Sequence, residues 1–131
     1  MKTLIVEDDA TSSIILQKLL SRYGEASIAM DGEKAVESFQ SGLDSGEPFD
    51  LICLDIMMPK MDGHEVLTRI REMERGKGIN GLDRVKIVMT TALEDPENVM
   101  AAFKEECDTY LTKPIFSDVL LEKLRDLGLL D

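Results

Sequence analysis

The feature of this sequence that most restricts its fold is a repeated alternation of short apolar runs with longer stretches of helical spacing. The alternation occurs five times, and it is typical of strand and helix units that form a parallel sheet. Most of the runs carry β-branched residues or leucine on both faces, which indicates strands covered by helices on both sides. The predicted strands are Thr3 to Val6, Ala26 to Ala29, Leu51 to Leu54, Val85 to Met89 and Thr109 to Leu111.

Apolar residues spaced three and four positions apart predict amphipathic helices between these strands. One helix is predicted to open at Asp95-Pro96, a cap residue followed by proline, and the last is predicted to begin near Ser117. The apolar faces in chain order are Ile15, Leu16, Leu19, Leu20 and Tyr23; Ala35, Val36 and Phe39; Val66, Leu67, Ile70 and Met73; Val99, Met100 and Phe103; and Leu120, Leu121, Leu124 and Leu127.

Length and composition predict one compact domain over residues 1–131, with no output domain and with the glycine-rich segment from Gly76 to Gly81 as a surface loop. The net charge of -11 argues against direct nucleic-acid binding. We found no membrane span and no signal peptide, so we expect a cytoplasmic protein. Cys53 and Cys107 adjoin apolar runs and are interpreted as buried thiols without a disulfide or metal role.

Polar residues follow four of the predicted strands, and the carboxyl ends of parallel strands lie at one edge of a sheet, where open α/β folds bind ligands. These residues are therefore expected to converge. Three carboxylates close together would repel one another unless a cation lay among them, and Mg²⁺ suits such a site because it also leaves positions for phosphate oxygens. The converging residues are Glu7, Asp8, Asp55, Thr91 and Lys113.

These residue types fit phosphoryl transfer. An aspartate carboxylate can attack phosphorus and form an aspartyl phosphate. An ammonium group such as that of Lys113, together with a metal, would neutralise charge on the transferring oxygens, and a hydroxyl such as that of Thr91 could bond a further oxygen. Asp55 is the candidate nucleophile because Pro59, Asp62 and Gly63 place a turn between it and the next helix.

Four fragments resemble the response-regulator receiver family of two-component signalling, and together they span nearly the whole chain. They occur in the right order at the ends of the right strands. The fragments are Leu4-Ile5-Val6-Glu7-Asp8-Asp9, Leu54-Asp55-Ile56-Met57-Met58-Pro59-Lys60-Met61-Asp62-Gly63, Thr91-Ala92 and Tyr110-Leu111-Thr112-Lys113-Pro114.

The resemblance implies a flavodoxin-like three-layer α/β fold with a doubly wound, five-stranded parallel sheet of order 2-1-3-4-5. It implies that Asp55 is the phosphoacceptor and that Lys113 and Thr91 contact the phosphoryl group. Mg²⁺ or Mn²⁺ would bind Asp8, Asp55 and the backbone carbonyl of Met57, with Glu7 assisting through water. It also implies a switch that couples Thr91 to Tyr110, and a Lys113-Pro114 bond of a kind that is often cis.

The partners expected from this resemblance are a sensor histidine kinase or a histidine phosphotransfer protein, with an unidentified protein target downstream. Surface residues near the first helix, such as Ser12, Ser13 and Leu16, are expected to set partner choice. The protein is expected to be a monomer, or a dimer on activation, and to promote only its own phosphorylation and dephosphorylation rather than turn over a substrate. His64 is interpreted as an exposed polar residue without a role.

Two other functions are open on the sequence. A metal-dependent aspartyl-phosphate phosphatase also places an aspartate after a parallel strand, but it requires a second carboxylate two residues later, where this chain has Met57. A protein-interaction module of the same fold that is not phosphorylated is the other alternative. The acidic residues that such modules lose are all present here.

Overall fold

The computed structural model describes residues 1–58, 60–91, 101, 104 and 106–131. Within them the strands form one parallel sheet of order β2-β1-β3-β4-β5, as the receiver resemblance implied. The strands are β1 Thr3–Val6, β2 Ala26–Ala29, β3 Leu51–Asp55, β4 Lys86–Thr91 and β5 Thr109–Thr112. The helices are α1 Ala10–Leu20, α2 Gly32–Ser45, α3 Gly63–Gly76 and α4 Ser117–Asp126, and short 3₁₀ turns cover Ser21–Tyr23 and Gly81–Asp83.

The predicted bounds of β1 and β2 are confirmed, and β3 to β5 run one or two residues further toward their carboxyl ends than predicted. The helix predicted to open at Asp95 lies outside the described residues, and so does its apolar face. Gly76 closes α3, and the segment after it lies at the surface, including the short 3₁₀ turn that begins at Gly81. None of the described helices is long and apolar enough to cross a membrane.

Successive residues of the central strands face opposite sides of the sheet, which produces two apolar layers. On one side Leu4 and Ile52 pack with Phe39 of α2 and Ile70 of α3. The opposite layer covers the other face of the same strands, and its members include Ile5, Cys53, Val88, Leu16, Leu20, Leu120 and Leu124. Helices therefore cover both sides of the sheet, as the doubly apolar strands predicted.

Both cysteines are buried and neither forms a disulfide within the described part of the chain, as predicted. Cys53 lies in β3 and Cys107 precedes β5, so β4 separates the two positions in the sheet. Burial raises the pKa of the Cys53 thiol to about 12, which keeps it protonated near neutral pH. This thiol is therefore a small apolar group rather than a nucleophile.

Three predictions about burial were wrong: Ile15 was expected on the apolar face of the first helix, Ser13 on a partner surface and His64 in an exposed position. Ile15 is 61% exposed, because the buried face of α1 runs through Ser13, Leu16 and Leu20. Ser13 is consequently buried, and its hydroxyl donates to the carbonyl of Ala10 at 2.9 Å, so it cannot contact a partner directly. His64 is half-buried rather than exposed.

Thr3 offers a test of the packing at the start of β1. Its Oγ1 atom is buried and, among the described residues, has no hydrogen-bond partner. Because a buried hydroxyl without a partner costs more than a methyl group of the same shape, we expect Thr3→Val to raise the free energy of unfolding by about 1 kcal/mol. Urea denaturation at an unchanged m-value measures this difference. Thr112→Val, at an exposed position of β5, is the control and should change stability by less than about 0.5 kcal/mol.

Candidate functional site

Five of the predicted site residues lie at one edge of the sheet because the strands are parallel. Glu7 and Asp8 directly follow β1, Asp55 is the last residue of β3 and Thr91 is the last of β4. Lys113 directly follows β5. The order of the strands places β1 and β3 side by side, so the acidic residues of both meet at the centre of this edge.

The structure brings three of the carboxylates together. One oxygen from each of Glu7, Asp8 and Asp55 lies within 4.8 Å of the others. Glu7 is 2% exposed and Asp55 is 4% exposed, whereas Asp8 lies at the surface. Three negative charges at this separation, two of them buried, repel one another strongly unless cations compensate them.

Lys113 supplies part of that compensation. Its Nζ atom donates to Oε1 of Glu7 and, at 3.3 Å, to Oδ2 of Asp55. Partial burial would lower the pKa of this ammonium group, but the hydrogen bond to Glu7 and the charge of Asp55 outweigh burial, so the pKa of Lys113 is raised. The side chain is therefore held in its charged form against the candidate nucleophile.

The single positive charge of Lys113 does not neutralise three carboxylates, and the environment of Glu7 reflects the negative charge that remains. Burial, with the Asp55 carboxylate beside it, raises the pKa of Glu7 even though Lys113 acts in the opposite direction. Its second oxygen, Oε2, is buried and has no hydrogen-bond partner among the described residues. A buried carboxylate oxygen in that position is suited to a cation or an ordered water molecule, so the acidic cluster could bind a metal ion.

The backbone around Asp55 fixes the direction of its side chain. The amide of Met57 donates to Oδ1 of Asp55 at 3.2 Å, while Oδ2 faces Lys113. Gly63, the first residue of α3, lies directly against this segment, and its amide donates to the carbonyl of Ile56 at 2.9 Å. A Cβ atom on Gly63 would lie 2.4 Å from the carbonyl oxygen of Asp55, so only glycine allows α3 to start there.

The residues implied as a switch occupy neighbouring strands. Thr91 is buried at the end of β4, and Tyr110 of β5 is 37% exposed. The amide of Lys113 donates to the carbonyl of Thr91 at 2.6 Å, so the backbone joins β4 to the residue that contacts Asp55. The Lys113-Pro114 peptide bond is cis, as the resemblance implied.

An apolar depression of about 410 Å³ opens beside Lys113, between α1 and the segment that follows β5. The sequence prediction of a partner surface named Ser12 and Leu16, which line this depression, but it missed the residues after β5. The apolar run Pro114-Ile115-Phe116, which directly follows a site lysine, could have indicated that the residues after β5 belong to this surface. The full lining is Ser12, Ile15, Leu16, Lys113, Pro114 and Ile115.

Comparison with known proteins agrees with this geometry. The response regulator receiver domain family matches residues 3–125. Among curated proteins, the probable histidine kinase 2 of Oryza sativa is 34% identical over 88% of this chain and 12% of its own length. The transcriptional regulatory protein DltR of Streptococcus agalactiae is 34% identical over 95% of this chain and 50% of its own. The chain thus spans half or less of these two relatives.

Solved structures show the same likeness across almost the whole chain. The chemotaxis protein CheY4 of Vibrio cholerae matches with a TM-score of 0.81 and 27% identity, over 96% of this chain and 97% of that one. The receiver domain of Ssk1 from Saccharomyces cerevisiae, solved with the histidine phosphotransfer protein Ypd1, gives a TM-score of 0.83 and 28% identity, over 98% and 88%. From the family match, the sheet order and the acidic edge, we conclude that this chain belongs to the response regulator receiver domains of two-component signalling.

Proposed function

We propose that the chain is a phosphoacceptor that receives a phosphoryl group on Asp55 from a histidine kinase or a histidine phosphotransfer protein. The observation that carries this proposal is the contact between Lys113 Nζ and Asp55 Oδ2 inside a cluster of three carboxylates. An ammonium group held against one carboxylate of an acidic cluster fits the transfer of an anionic group to that carboxylate.

The transfer breaks one bond and forms another. A carboxylate oxygen of Asp55 attacks phosphorus, the bond from phosphorus to the donor breaks, and the donor leaves with its electron pair. The product is an acyl phosphate on Asp55. Lys113 donates to a phosphoryl oxygen, and the Thr91 hydroxyl at the neighbouring strand end bonds another. This assignment uses all the polar residues of the edge except those left for a metal.

Those remaining residues, together with Asp55, fit Mg²⁺ or Mn²⁺. Asp8, Asp55 and the backbone carbonyl of Met57 would hold the ion, and Glu7 would assist through water, which would satisfy the buried Oε2 atom. When bound, the ion supplies positive charge for the carboxylates and for the phosphoryl oxygens. Lys113 alone leaves the three carboxylates with a net charge of about -2 when all are ionised.

The proposed signal passes from Thr91 to Tyr110. A phosphoryl group adds about -1.5 to -2 charges at the site. Bonding of the Thr91 hydroxyl to a phosphoryl oxygen would draw this side chain toward Asp55. The space so released would let the partly exposed ring of Tyr110 turn inward, which would change the surface formed by β5 and α4.

The apolar depression beside Lys113 is the proposed docking site for the phosphodonor. It borders the site, and Ile15 of its lining is 61% exposed. The neighbouring residue Phe116 is 62% exposed, so the apolar surface continues toward α4. A solved neighbour, the Ssk1 receiver domain, forms a complex with a histidine phosphotransfer protein. A partner of that kind would bring a phosphohistidine to Asp55 by packing against α1.

The test is intact-mass measurement after incubation with Mg²⁺ and acetyl phosphate. We expect the native chain to gain one phosphoryl group, with acid-stable and base-labile attachment, and we expect Asp55→Asn to gain none. Asp50→Asn, an exposed aspartate just before β3, is the matched control and should gain the group normally. Chelation of the metal should abolish the gain in the native chain and in Asp50→Asn.

A gain that survives in Asp55→Asn would show that another residue is the acceptor. If neither acetyl phosphate nor a phosphorylated histidine phosphotransfer protein modifies the native chain, the phosphoacceptor proposal is wrong. The protein-interaction module of the same fold would then be the better description. These outcomes separate the two functions that the sequence left open.

A further inference from the structure

Arg71 is the largest completely buried side chain described in this structure, and it lies in α3 away from the acidic edge. Its guanidinium donates in four directions. Nε donates to the carbonyl of Glu106 at 3.1 Å, and Nη2 donates to Oδ2 of Asp108 at 3.2 Å. Nη1 donates to Oε1 of Glu74 at 2.6 Å and to the carbonyl of Val85 at 2.9 Å.

The acidic partners of Arg71 bond backbone amides at the start of β4, those of Val85, which directly precedes the strand, and of Ile87. Glu74 Oε2 accepts from the amide of Val85 at 2.7 Å, and Asp108 Oδ2 accepts from the amide of Ile87 at 2.7 Å. The pairing of β4 with β5 begins only at Val88. The three charged side chains of Arg71, Glu74 and Asp108 therefore bond backbone groups of Val85 and Ile87, before the pairing of β4 with β5 begins. We call them the Arg71 cluster.

Asp108, a member of this cluster, directly precedes β5. β5 has four residues, lies at the edge of the sheet with β4 as its neighbour, and buries one of them, Leu111. At its start, Asp108 is held to Ile87 through both its side chain and its amide, the latter at 2.9 Å from the carbonyl of Ile87. At its other end comes Lys113, about 16 Å further along an extended chain.

We propose that Arg71 is a positioning residue for phosphoryl transfer, because it fixes the start of β5 and thereby the position of Lys113 relative to Asp55. The inference rests on the proposed function of Asp55. Arg71 does not touch the reacting atoms. It acts through Asp108, which β5 continues directly. Besides its backbone pairing with β4, this short edge strand has one buried side chain to hold its register.

The guanidinium group is suited to this task and an ammonium group is not. Four acceptors on three separate segments surround Arg71, and a planar fork with five donors can satisfy them together. A lysine at this position has three donors on one atom, so it would leave part of the cluster without a partner. Arg71→Lys therefore keeps the charge while loosening the start of β5.

A double-mutant cycle between Arg71 and Lys113 tests the proposal. The rate of Mg²⁺-dependent phosphorylation by acetyl phosphate is measured at a temperature at which circular dichroism shows each variant fully folded. We expect Arg71→Met to lower the rate about 10-fold, because a displacement of about 1 Å at a reacting group can cost up to about 10²-fold and the pairing of β5 with β4 limits the displacement of Lys113. In a Lys113→Met background, we expect Arg71→Met to lower the rate by less than about 2-fold.

A matched control lies on the same helix. Arg69 is half-exposed, and its ion pair with Glu65 at 3.4 Å stays within α3, so Arg69→Met should phosphorylate at the native rate. If Arg71→Met does not fold, Arg71→Lys is measured in the same cycle and should show the same pattern with a smaller loss.

Amide hydrogen exchange gives a readout that does not depend on phosphorylation. Exchange at residues 109–112 should become at least about 10-fold faster in Arg71→Met, while the amides of β1 and β3 keep their native protection. Equal acceleration in all strands would mean that Arg71 stabilises the fold as a whole, and the proposal would be overturned.

The outcomes also separate this inference from the function on which it rests. If the native chain takes up no phosphoryl group, the phosphoacceptor function is wrong and the positioning role falls with it. If the native chain is phosphorylated and Lys113→Met is impaired, but Arg71→Met reacts at the native rate, the inference about Arg71 alone is wrong. The same holds if Arg71→Met loses the same factor with and without Lys113.

Discussion

Replacing Lys113 by methionine should lower the rate of Asp55 phosphorylation by about 10² to 10³, the usual cost of removing one donor to a developing anionic oxygen. Lys113 contacts both buried carboxylates, Glu7 and Asp55. Among the described ion pairs, no other cationic side chain contacts either of them. Methionine keeps most of the length of the side chain, so packing against the depression is retained while the charge is lost. The rate is measured with acetyl phosphate at saturating Mg²⁺.

The same substitution should make Mg²⁺ bind more tightly. The ammonium group and a metal ion compete for the negative charge of the same three carboxylates, and removal of one cation leaves more of that charge to the other. Calorimetric titration with Mg²⁺ measures this change. Lys18→Met, an exposed lysine of α1, is the control and should alter neither the rate nor the affinity. A normal rate in Lys113→Met would show that Lys113 only balances charge in the resting site.

Gly63→Ala should lower the free energy of unfolding by about 3 kcal/mol, near the upper end for a forced overpacking. The added Cβ atom would meet the Asp55 carbonyl oxygen at 2.4 Å and the Cα atom of Ile56 at 2.8 Å. Both are backbone atoms, so neither can rotate away as a flexible side chain would. Relief requires α3 or the end of β3 to move, and that movement displaces Asp55.

The opposite end of α3 provides the control. Gly76 closes the helix, and a Cβ atom there would have no neighbour within 4 Å. Gly76→Ala should therefore leave stability unchanged or raise it by up to about 1 kcal/mol through the higher helix propensity of alanine. Chemical denaturation of both variants compares the two ends of one helix. Equal stability of Gly63→Ala and the native chain would contradict the close approach of α3 to Asp55.

Much of the fold and of the site could be predicted because the signals are local or follow from the topology. The apolar runs gave β1 and β2 their bounds, and once the strands were taken as parallel, the residues after them had to share one edge. The convergence of Glu7, Asp8 and Asp55 needed no knowledge of side-chain packing. The functional roles of these residues stay predictions until the phosphorylation experiment is done.

Packing details could not be predicted in the same way. Apolar residues on consecutive positions of α1 leave its inward face ambiguous, and the choice was made by contacts with the sheet, which exposed Ile15 and buried Ser13. The need for glycine at position 63 depends on how closely α3 approaches β3, which is a distance between elements. Neither feature has a local signature in the sequence.

The Arg71 cluster was missed although its spacing was visible. Leu67, Ile70, Arg71 and Glu74 follow the three- and four-residue spacing of one helical face, so the charged pair continues the apolar stripe of α3. Charged residues on such a face are ordinarily assigned to the surface, because burying them is costly unless each is paired. Their partners, Val85 and Asp108, are distant in the sequence.

The hydrogen bonds at the amino end of β4 also affect whether molecules of this protein associate with one another at high concentration. Unpaired amides and carbonyls along a strand are a template on which a strand of another molecule can add. In this chain the side chains of Arg71, Glu74 and Asp108 already occupy those groups of Val85 and Ile87. Loss of the Arg71 cluster would leave these backbone groups unpaired and open to a strand of another molecule. We therefore expect variants that lack the cluster to self-associate as well as to be less stable.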